Sequence, residues 1–291
     1  MERKNLLIID SNSVIYRAYH ALPPLTTQEG ENMGAVYGFL LALFRAIKEF
    51  QPEFIAACFD VKGPTFRHEQ YKEYKAKRPP TPADLISQMS KIKEVLGFFN
   101  IPIFEKQGFE ADDLIGTIAR LAAKNQPANE FKIIILSGDN DTLQLVDEKT
   151  RVFNLRKGVK DTLLYDENTV KEKYQGLGPK ELLDYRALKG DPSDNIPGVL
   201  GIGEKTAIEL IKEYGTLENI YDNLALIKGK VREKLSQHKK EAFFSRDLSE
   251  IRTDVSIDFN LENCRWADYD KEKAAAMLQR LDFQSLINRL P

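Results

Sequence analysis

The sequence predicts an α/β fold, a mainly parallel central sheet flanked by helices, with a second, helical domain behind it. Three observations predict this. Residues 6–9, 54–59 and 133–136 are continuous apolar runs, too short for helices and suited to strands buried on both faces. Between them apolar residues recur at helical spacing: Val36, Phe39, Leu40, Leu43, Phe44 and Ile47; Leu85, Met89, Ile92, Leu96 and Phe99; Leu114, Ile115, Ile118 and Leu121. Strand and helix alternating in this way give a parallel sheet with helical crossovers. After Gly176-Leu-Gly-Pro179 helical patterns take over, at 180–189, 204–214 and a basic stretch around 228–248. A polar connection at 253–263 and a helix-like end at 274–290 complete the chain. The expected division is an α/β domain over 1–175 and a helical domain over 176–291.

The 291 residues are 42% hydrophobic, enough for a sizeable core, and the net charge of −2 provides no global field to attract a polyanion. Charge is instead local. Residues 61–80 hold six Lys/Arg against two acids, and residues 228–241 again hold six against two. Cys58 and Cys264 have no partners at metal-ligand spacing, which argues against a zinc site and a disulfide framework. The opening Met1-Glu-Arg-Lys-Asn5 leads into only four apolar residues, too few for a signal peptide, and no apolar run is long enough to span a membrane. A soluble, cytoplasmic monomer is expected.

Nine acids stand where such a fold would gather them. In open parallel sheets, ligands bind beyond the carboxyl ends of the strands. Asp10, Asp60 and Asp139 each follow the end of a strand-like run. Glu110, Asp112 and Asp113 open a helix-like stretch, Asp141 follows Asp139, and Asp191 and Asp194 lie in the loop 190–198. Any one of them reads equally well as a turn residue or helix cap. As a set they read otherwise, because clustered carboxylates repel unless cations share the site. Oxygen donors without histidine or cysteine suit Mg²⁺, with Mn²⁺ as a substitute. Two such ions can clamp the attacking and leaving oxygens of a phosphodiester displacement.

Two further segments point to nucleic acid. Gly198-Val-Leu-Gly201-Ile-Gly203-Glu-Lys205-Thr206-Ala207 runs into an apolar-periodic helix, a helix–hairpin–helix pattern at about 190–214. Its glycines allow a tight turn, and the helix start offers N–H groups to a phosphate, beside Lys205 and Thr206. The plain alternative is a glycine-rich connection. Residues 62–84 interleave bases with aromatics, among them Arg67, Tyr74, Lys75 and Arg78. That suits a single strand held by charge and stacking. If the segment is helical, Arg67, Lys75 and Arg78 share a face. The plain alternative is a solvated basic helix. His20 and His68 have no evident catalytic partner, and Ser13 and Ser137 lack a Ser-His-Asp arrangement.

These motifs together resemble the 5′-nuclease (5′→3′ exonuclease) domain of bacterial DNA polymerase I, within the flap endonuclease family. The resemblance runs from Asp10 with Tyr16-Arg-Ala-Tyr-His20, through Phe59-Asp60, Phe66-Arg-His-Glu69 and Tyr74-Lys-Ala-Lys-Arg78. It continues through Glu110-Ala-Asp-Asp113 and Gly138-Asp-Asn-Asp141 to Gly190-Asp-Pro-Ser-Asp194 and Gly201-Ile-Gly-Glu-Lys-Thr-Ala207. It implies a PIN-like nuclease domain with an H3TH helical domain, acting on DNA with 5′ flaps, nicks or ends, including RNA-primed ends, alone or beside a polymerase. Asp10, Asp60, Glu110 and Asp112 are implied for one ion, and Asp139, Asp141, Asp191 and Asp194 for a second, with Asp113 adjacent. Arg67, Lys75 and Arg78 are implied as arch residues at the scissile phosphate. Arg17 is implied on the phosphate path, and K⁺ at the hairpin. Many members carry glycine where Ser11 stands and a basic residue where Asn140 stands. Within the 291 residues no polymerase or proofreading segment is recognised. Two rivals remain at this point, a catalytically inactive module that binds branched DNA, and a phosphatase with an aspartyl nucleophile. The latter usually wants Asp-x-Asp after the first strand, where this chain has Asp10-Ser-Asn.

Overall fold

The computed structural model describes residues 4–291 apart from positions 24, 28, 29, 125, 129, 267 and 268. The expectation about the start of the chain bears partly on residues 1–3, which lie outside the described residues. The elements follow one another as β1 (Lys4–Asp10), α1 (Ser11–Ala21), α2 (Gly34–Phe50), β2 (Phe54–Cys58), α3 (Phe66–Gln70) and α4 (Ala83–Phe98). Next come β3 (Ile103–Phe104), α5 (Ala111–Ala123), β4 (Phe131–Ser137), β5 (Thr150–Leu155), β6 (Thr162–Tyr165) and α6 (Glu167–Lys173). Then follow α7 (Leu182–Lys189), α8 (Glu204–Tyr214), α9 (Leu217–Asp222), α10 (Gly229–Gln237), α11 (Lys239–Ser249), α12 (Lys271–Arg280) and α13 (Gln284–Ile287).

The strands form one sheet in the order β3-β2-β1-β4-β5-β6, parallel throughout except for β6. Side chains alternate across it as a pleated strand requires. Leu7, Ile9, Ile55, Ala57, Ile134 and Leu136 face α1, α2 and α4. Leu6, Ile8, Phe54, Ala56, Ile133 and Ile135 face α5 on the other side. Both faces are apolar, so the strands carry no polar alternation. Ile8 aligns with Ala56 on one side and Ile135 on the other. The three central strands therefore end together, and the residues just beyond them come to one edge.

The helical domain has its own core, in which Leu188, Val199, Ile202, Ile208, Ile211, Ile220 and Leu235 are buried. It ends earlier than expected. The chain after α11 returns to the α/β domain: Ile251 and Thr253 close over Gly116, Val255 and Cys264 join the α5 face, and α12 and α13 pack with Phe99 on the α2 face. The apolar side of 274–290 is covered there, with Ala274, Leu278, Phe283 and Leu286 buried in the sheet-layer cluster. That end is also two helices, broken at Asp282, which sits at φ 59°.

The basic segment 62–84 is not one helix. Only α3 is helical before α4, residues 72–77 turn, and Lys75 adopts φ 55°. Burial of its aromatics overrides helical propensity. Tyr74 packs with Ile196 and Leu248, Tyr71 meets Phe244 edge-on at 5.5 Å, and the Lys75 amide donates to the Asp194 carbonyl at 3.0 Å. Arg67, Lys75 and Arg78 consequently share no helical face.

Gly190 and Gly198 close the loop that carries Asp191 and Asp194. Both have positive φ, 73° and 64°, and their backbones touch, since a Cβ on Gly198 would lie 2.3 Å from the Gly190 nitrogen. Gly198→Ala is expected to destabilise the protein by more than the ~1–3 kcal/mol of left-handed strain alone, because backbone must also shift. Gly97→Ala, in α4 with open space around it, is expected to stabilise by ~0.5–1 kcal/mol. Urea denaturation of the two variants measures the contrast.

Candidate functional site

A cavity of about 340 Å³ opens at the carboxyl edge of the sheet, lined by Asp10, Asp60, Glu110, Asp112, Asp139, Asp141 and Asp194. Asp191 lies in an adjoining depression with Asp139, Asp141 and Asp194. Eight of the nine candidate acids therefore meet around one space, from five separated segments of chain.

Several also serve the turns that place them. Asp10 caps α1, accepting from the Ser13 amide at 3.2 Å, and Ser137 Oγ donates to its other oxygen at 2.6 Å. Asp60 accepts from the Ala111 amide at 2.7 Å, which ties β2 to the start of α5. Asp139 accepts from the Asp141 amide at 2.9 Å. The capping reading and the site reading thus hold for the same side chains.

Charge balance is uneven. Burial, aided by the charges of Asp139 and Asp60, raises Asp10 to about 7, although the Ser137 hydrogen bond opposes it. Burial and the nearby Asp10, Asp139 and Asp141 push Asp112 well above the usual carboxylate range. Burial and then Asp139 do the same to Asp141. Burial also raises Asp60. Burial works to raise Glu110 too, but Lys75 and Arg67 outweigh it and hold it low. The protein's own bases occupy part of the site. Lys75 Nζ donates to Glu110 at 2.7 Å, Arg78 pairs with Asp194, and Arg186 pairs with Asp141 through both guanidinium nitrogens. Among the described residues, no three acid, His or Cys side chains close into a finished metal cage. The donor set itself fits hard cations. It is all oxygen, and burial and mutual repulsion hold several of its carboxyls above the usual carboxylate range, a cost that added positive charge would relieve.

Asp113 is not part of this set. It is fully buried beneath the pocket, where Arg67 grips both its oxygens at 2.8 Å and the Glu110 and Arg252 amides donate to it. Arg67 lines the cavity, but its guanidinium is committed to Asp113. It is 3% exposed, and it also donates to the Leu248 and Glu250 carbonyls at 2.9 and 2.7 Å, so it ties α3 and α5 to the end of α11. Tyr74 is no stacking platform either, being buried with its hydroxyl 3.1 Å from Glu110. Gly198 is likewise buried and supports the hairpin from within.

Gly201, Gly203 and Lys205 are exposed at the hairpin, and the Lys205 side chain is 88% accessible at the first turn of α8, followed by half-buried Thr206. Lys234 Nζ donates to the Gly201 carbonyl at 2.7 Å, so a side-chain cation already sits there. Arg17 reaches the pocket edge, bonded to the Gly138 carbonyl at 2.7 Å. Ser11 is buried outside the cavity lining. Sequence reasoning missed Arg186, whose signal is its place one turn before Gly190. It also missed Asn12 and Ser137, which hold Asp60 and Asp139 by their backbone amides.

The chain thus combines an acidic pocket at the carboxyl edge of a parallel sheet with an exposed glycine hairpin that opens a helix. The chain belongs to the 5′-3′ exonuclease family: residues 5–175 match its N-terminal resolvase-like domain and residues 177–272 its C-terminal SAM-fold domain. It is 40% identical to DNA polymerase I of Bacillus subtilis (strain 168), over 99% of this chain and 32% of the relative. It is 42% identical to the thermostable DNA polymerase I of Thermus thermophilus, over 97% of this chain and 33% of that protein. The chain thus spans about a third of the length of these relatives. In fold it is similar to T5 5′-exonuclease with divalent zinc ions bound, at TM-score 0.71 and 20% identity, covering 98% and 96% of the two chains. It is also similar to the catalytic core of Rad2 in complex with DNA substrate, at TM-score 0.58 and 16% identity, covering 99% and 93%. Among the described residues no helix is long and apolar enough to cross a membrane.

Arg67 offers a test of its structural role. Arg67→Ala strands the buried Asp113 carboxylate, and thermal or urea unfolding is expected to show a loss of ~3–5 kcal/mol. An unchanged stability with weakened DNA affinity would restore the arch reading.

Proposed function

We propose that the chain hydrolyses DNA phosphodiesters at 5′ flaps, nicks and ends, including RNA-primed ends, with divalent cations in the acidic pocket. The observation that carries this is the meeting of eight oxygen-donor acids beside the hairpin. Asp10, Asp60, Glu110 and Asp112 would hold one ion, and Asp139, Asp141, Asp191 and Asp194 a second. Mg²⁺ fits the all-oxygen set, and Mn²⁺ substitutes for it. When bound, two such ions supply Lewis acidity and counter-charge to the attacking and leaving oxygens. K⁺ at the hairpin belongs to the proposal only at carbonyls other than Gly201, which Lys234 takes.

The chain's own residues do the rest. Gly201, Gly203, Lys205 and Thr206 grip a phosphate backbone without reading sequence, using free N–H groups at the start of α8. Arg17 steers the strand at the pocket edge. Lys75 and Arg78 neutralise Glu110 and Asp194 as the pocket stands. With those two carboxylates neutralised otherwise, Lys75 and Arg78 would be free to offset charge on the phosphate. The product would carry a 5′-phosphate and a 3′-hydroxyl. The wider setting is replication and repair in the bacterial cytoplasm, as a monomer, beside or joined to a polymerase. A phosphatase would leave the hairpin without a task, and an inactive module would have no need of the full acid set.

The direct test is a 5′-labelled flap-plus-nick duplex, with Mg²⁺ and with chelator. Cutting near the junction, abolished by chelator, is expected. Asp139→Asn is expected to lose on the order of a hundredfold or more in rate while DNA affinity is largely kept. Near-normal cutting by that variant would falsify the assignment.

Proton linkage gives a second check. Asp10 titrates near 7 in the fold against 3.8 ordinarily, so the fold holds more protons than the unfolded chain between those values. The stability this confers is present in full below 3.8 and is lost as pH rises through about 7. In chelator, the Tm is expected to fall between about pH 5 and about pH 8, less steeply for Asp10→Asn. Mg²⁺ is expected to raise the Tm more at the higher pH, because it binds ionised carboxylates. A metal effect of equal size at both pH values counts against the site.

A further inference from the structure

A second cleft, of about 460 Å³, opens beside the acidic pocket between the end of β5, β6 and α6. It shares Arg17 and Gly138 with that pocket, so the two adjoin. Its charge is the opposite. Arg17, Arg156, Lys157 and Lys173 line it against one acid, Glu172. Arg156, Lys157 and Lys173 are exposed, and among the described residues none of the three is paired with a carboxylate.

Lys173 is held in place, unlike an ordinary surface lysine. Its Nζ donates to Asn140 Oδ1 at 2.8 Å and to the Tyr165 hydroxyl at 3.2 Å. It also lies 5.1 Å from the centre of the Tyr165 ring and 5.7 Å from that of Tyr174. Asn140 stands between Asp139 and Asp141, so this ammonium sits on the boundary between the acidic and basic spaces. Holding a lysine there costs side-chain entropy that its neutral partners offset. The charge itself remains uncompensated and open to an anion. The Tyr165 ring is buried and forms a wall, so the cleft offers charge and no stacking surface. That chemistry suits phosphates in series and not bases or a small apolar ligand.

We propose that this cleft binds the phosphodiester backbone of the nucleic-acid substrate next to the bond that is cut. Lys173 seats the strand at the boundary, and Arg156 and Lys157 carry it outward. The inference rests on the nuclease reading above. Recognition here is independent of sequence and adds to the salt dependence of binding.

The test compares the wild-type chain with Lys173→Gln and with the double variant Arg156→Ala, Lys157→Ala. The glutamine amide keeps a donor on the side of Asn140 while removing the charge. Affinity for a fluorescent flap duplex is measured in chelator at several salt concentrations, and KM and kcat in Mg²⁺. Kd and KM are expected to rise on the order of tenfold in each case. The slope of log K against log salt is expected to become shallower by about one for Lys173→Gln, with kcat and Tm unchanged. Unchanged Kd and slope overturn the proposal. A fall in kcat at unchanged Kd overturns it as well, since Lys173 would then act on Asp139 and Asp141 through Asn140. A wild-type chain that neither binds nor cuts the duplex sinks the nuclease reading itself. Wild-type cutting with unaffected variants removes only the cleft.

Discussion

Crowded carboxylates are the constraint around which this molecule is arranged. Parallel strands in register must end together, so acids placed at the end of β1 and just after β2 and β4 converge on one edge. Their mutual repulsion, at largely buried positions, is too costly to leave unanswered. Part of the answer is protonation, seen in the raised Asp10, Asp112 and Asp141. The other part is basic side chains brought in from outside the sheet: Lys75 and Arg78 from the turns after α3, and Arg186 from α7. Both answers are provisional in a chemical sense. Protons and flexible bases can leave when a harder, more compact positive charge arrives.

The same electrostatics holds the two domains together. Arg186 and Asp194 belong to the helical domain, and their partners Asp141 and Arg78 to the α/β side. Arg67 adds a buried tie, joining Asp113 to carbonyls at the end of α11. The hairpin is thereby set at a fixed distance from the acids, because Gly190 and Gly198 lock the Asp191–Asp194 loop to its base.

The positive charges around the pocket divide by environment into those that support and those that are available. Arg67 is buried and saturated with partners, so it supports. Lys75, Arg78 and Arg186 are partly accessible and paired with acids that a metal would claim. Lys173, Arg156 and Lys157 have no acid partner among the described residues and face a cleft. This gradation follows from burial and pairing, and nothing in residue type distinguishes Arg67 from Arg78.

The sequence by itself determined the three central strands, their parallel sense and the convergence of acids, while β3, β5 and the antiparallel β6 were not legible in it. A strand of four to six apolar residues buried on both faces leaves a signature that needs no tertiary knowledge, and Asp10, Asp60 and Asp139 each stand just beyond such a run. The hairpin was legible too, because positive φ at Gly198 and Gly201 demands glycine at those positions. Only the tertiary structure decided which charges are free. Asp112 and Asp113 are neighbours on one helix turn, yet one lines the pocket and the other lies beneath it, since successive helical residues point about 100° apart. Arg67 and Tyr74 carry the same local signals as Arg78, and only packing against Leu248 and Ile196 buries them. The return of α12 and α13 to the sheet layer was also hidden. An amphipathic stripe states that it must be covered, and which surface covers it depends on the shape of the whole.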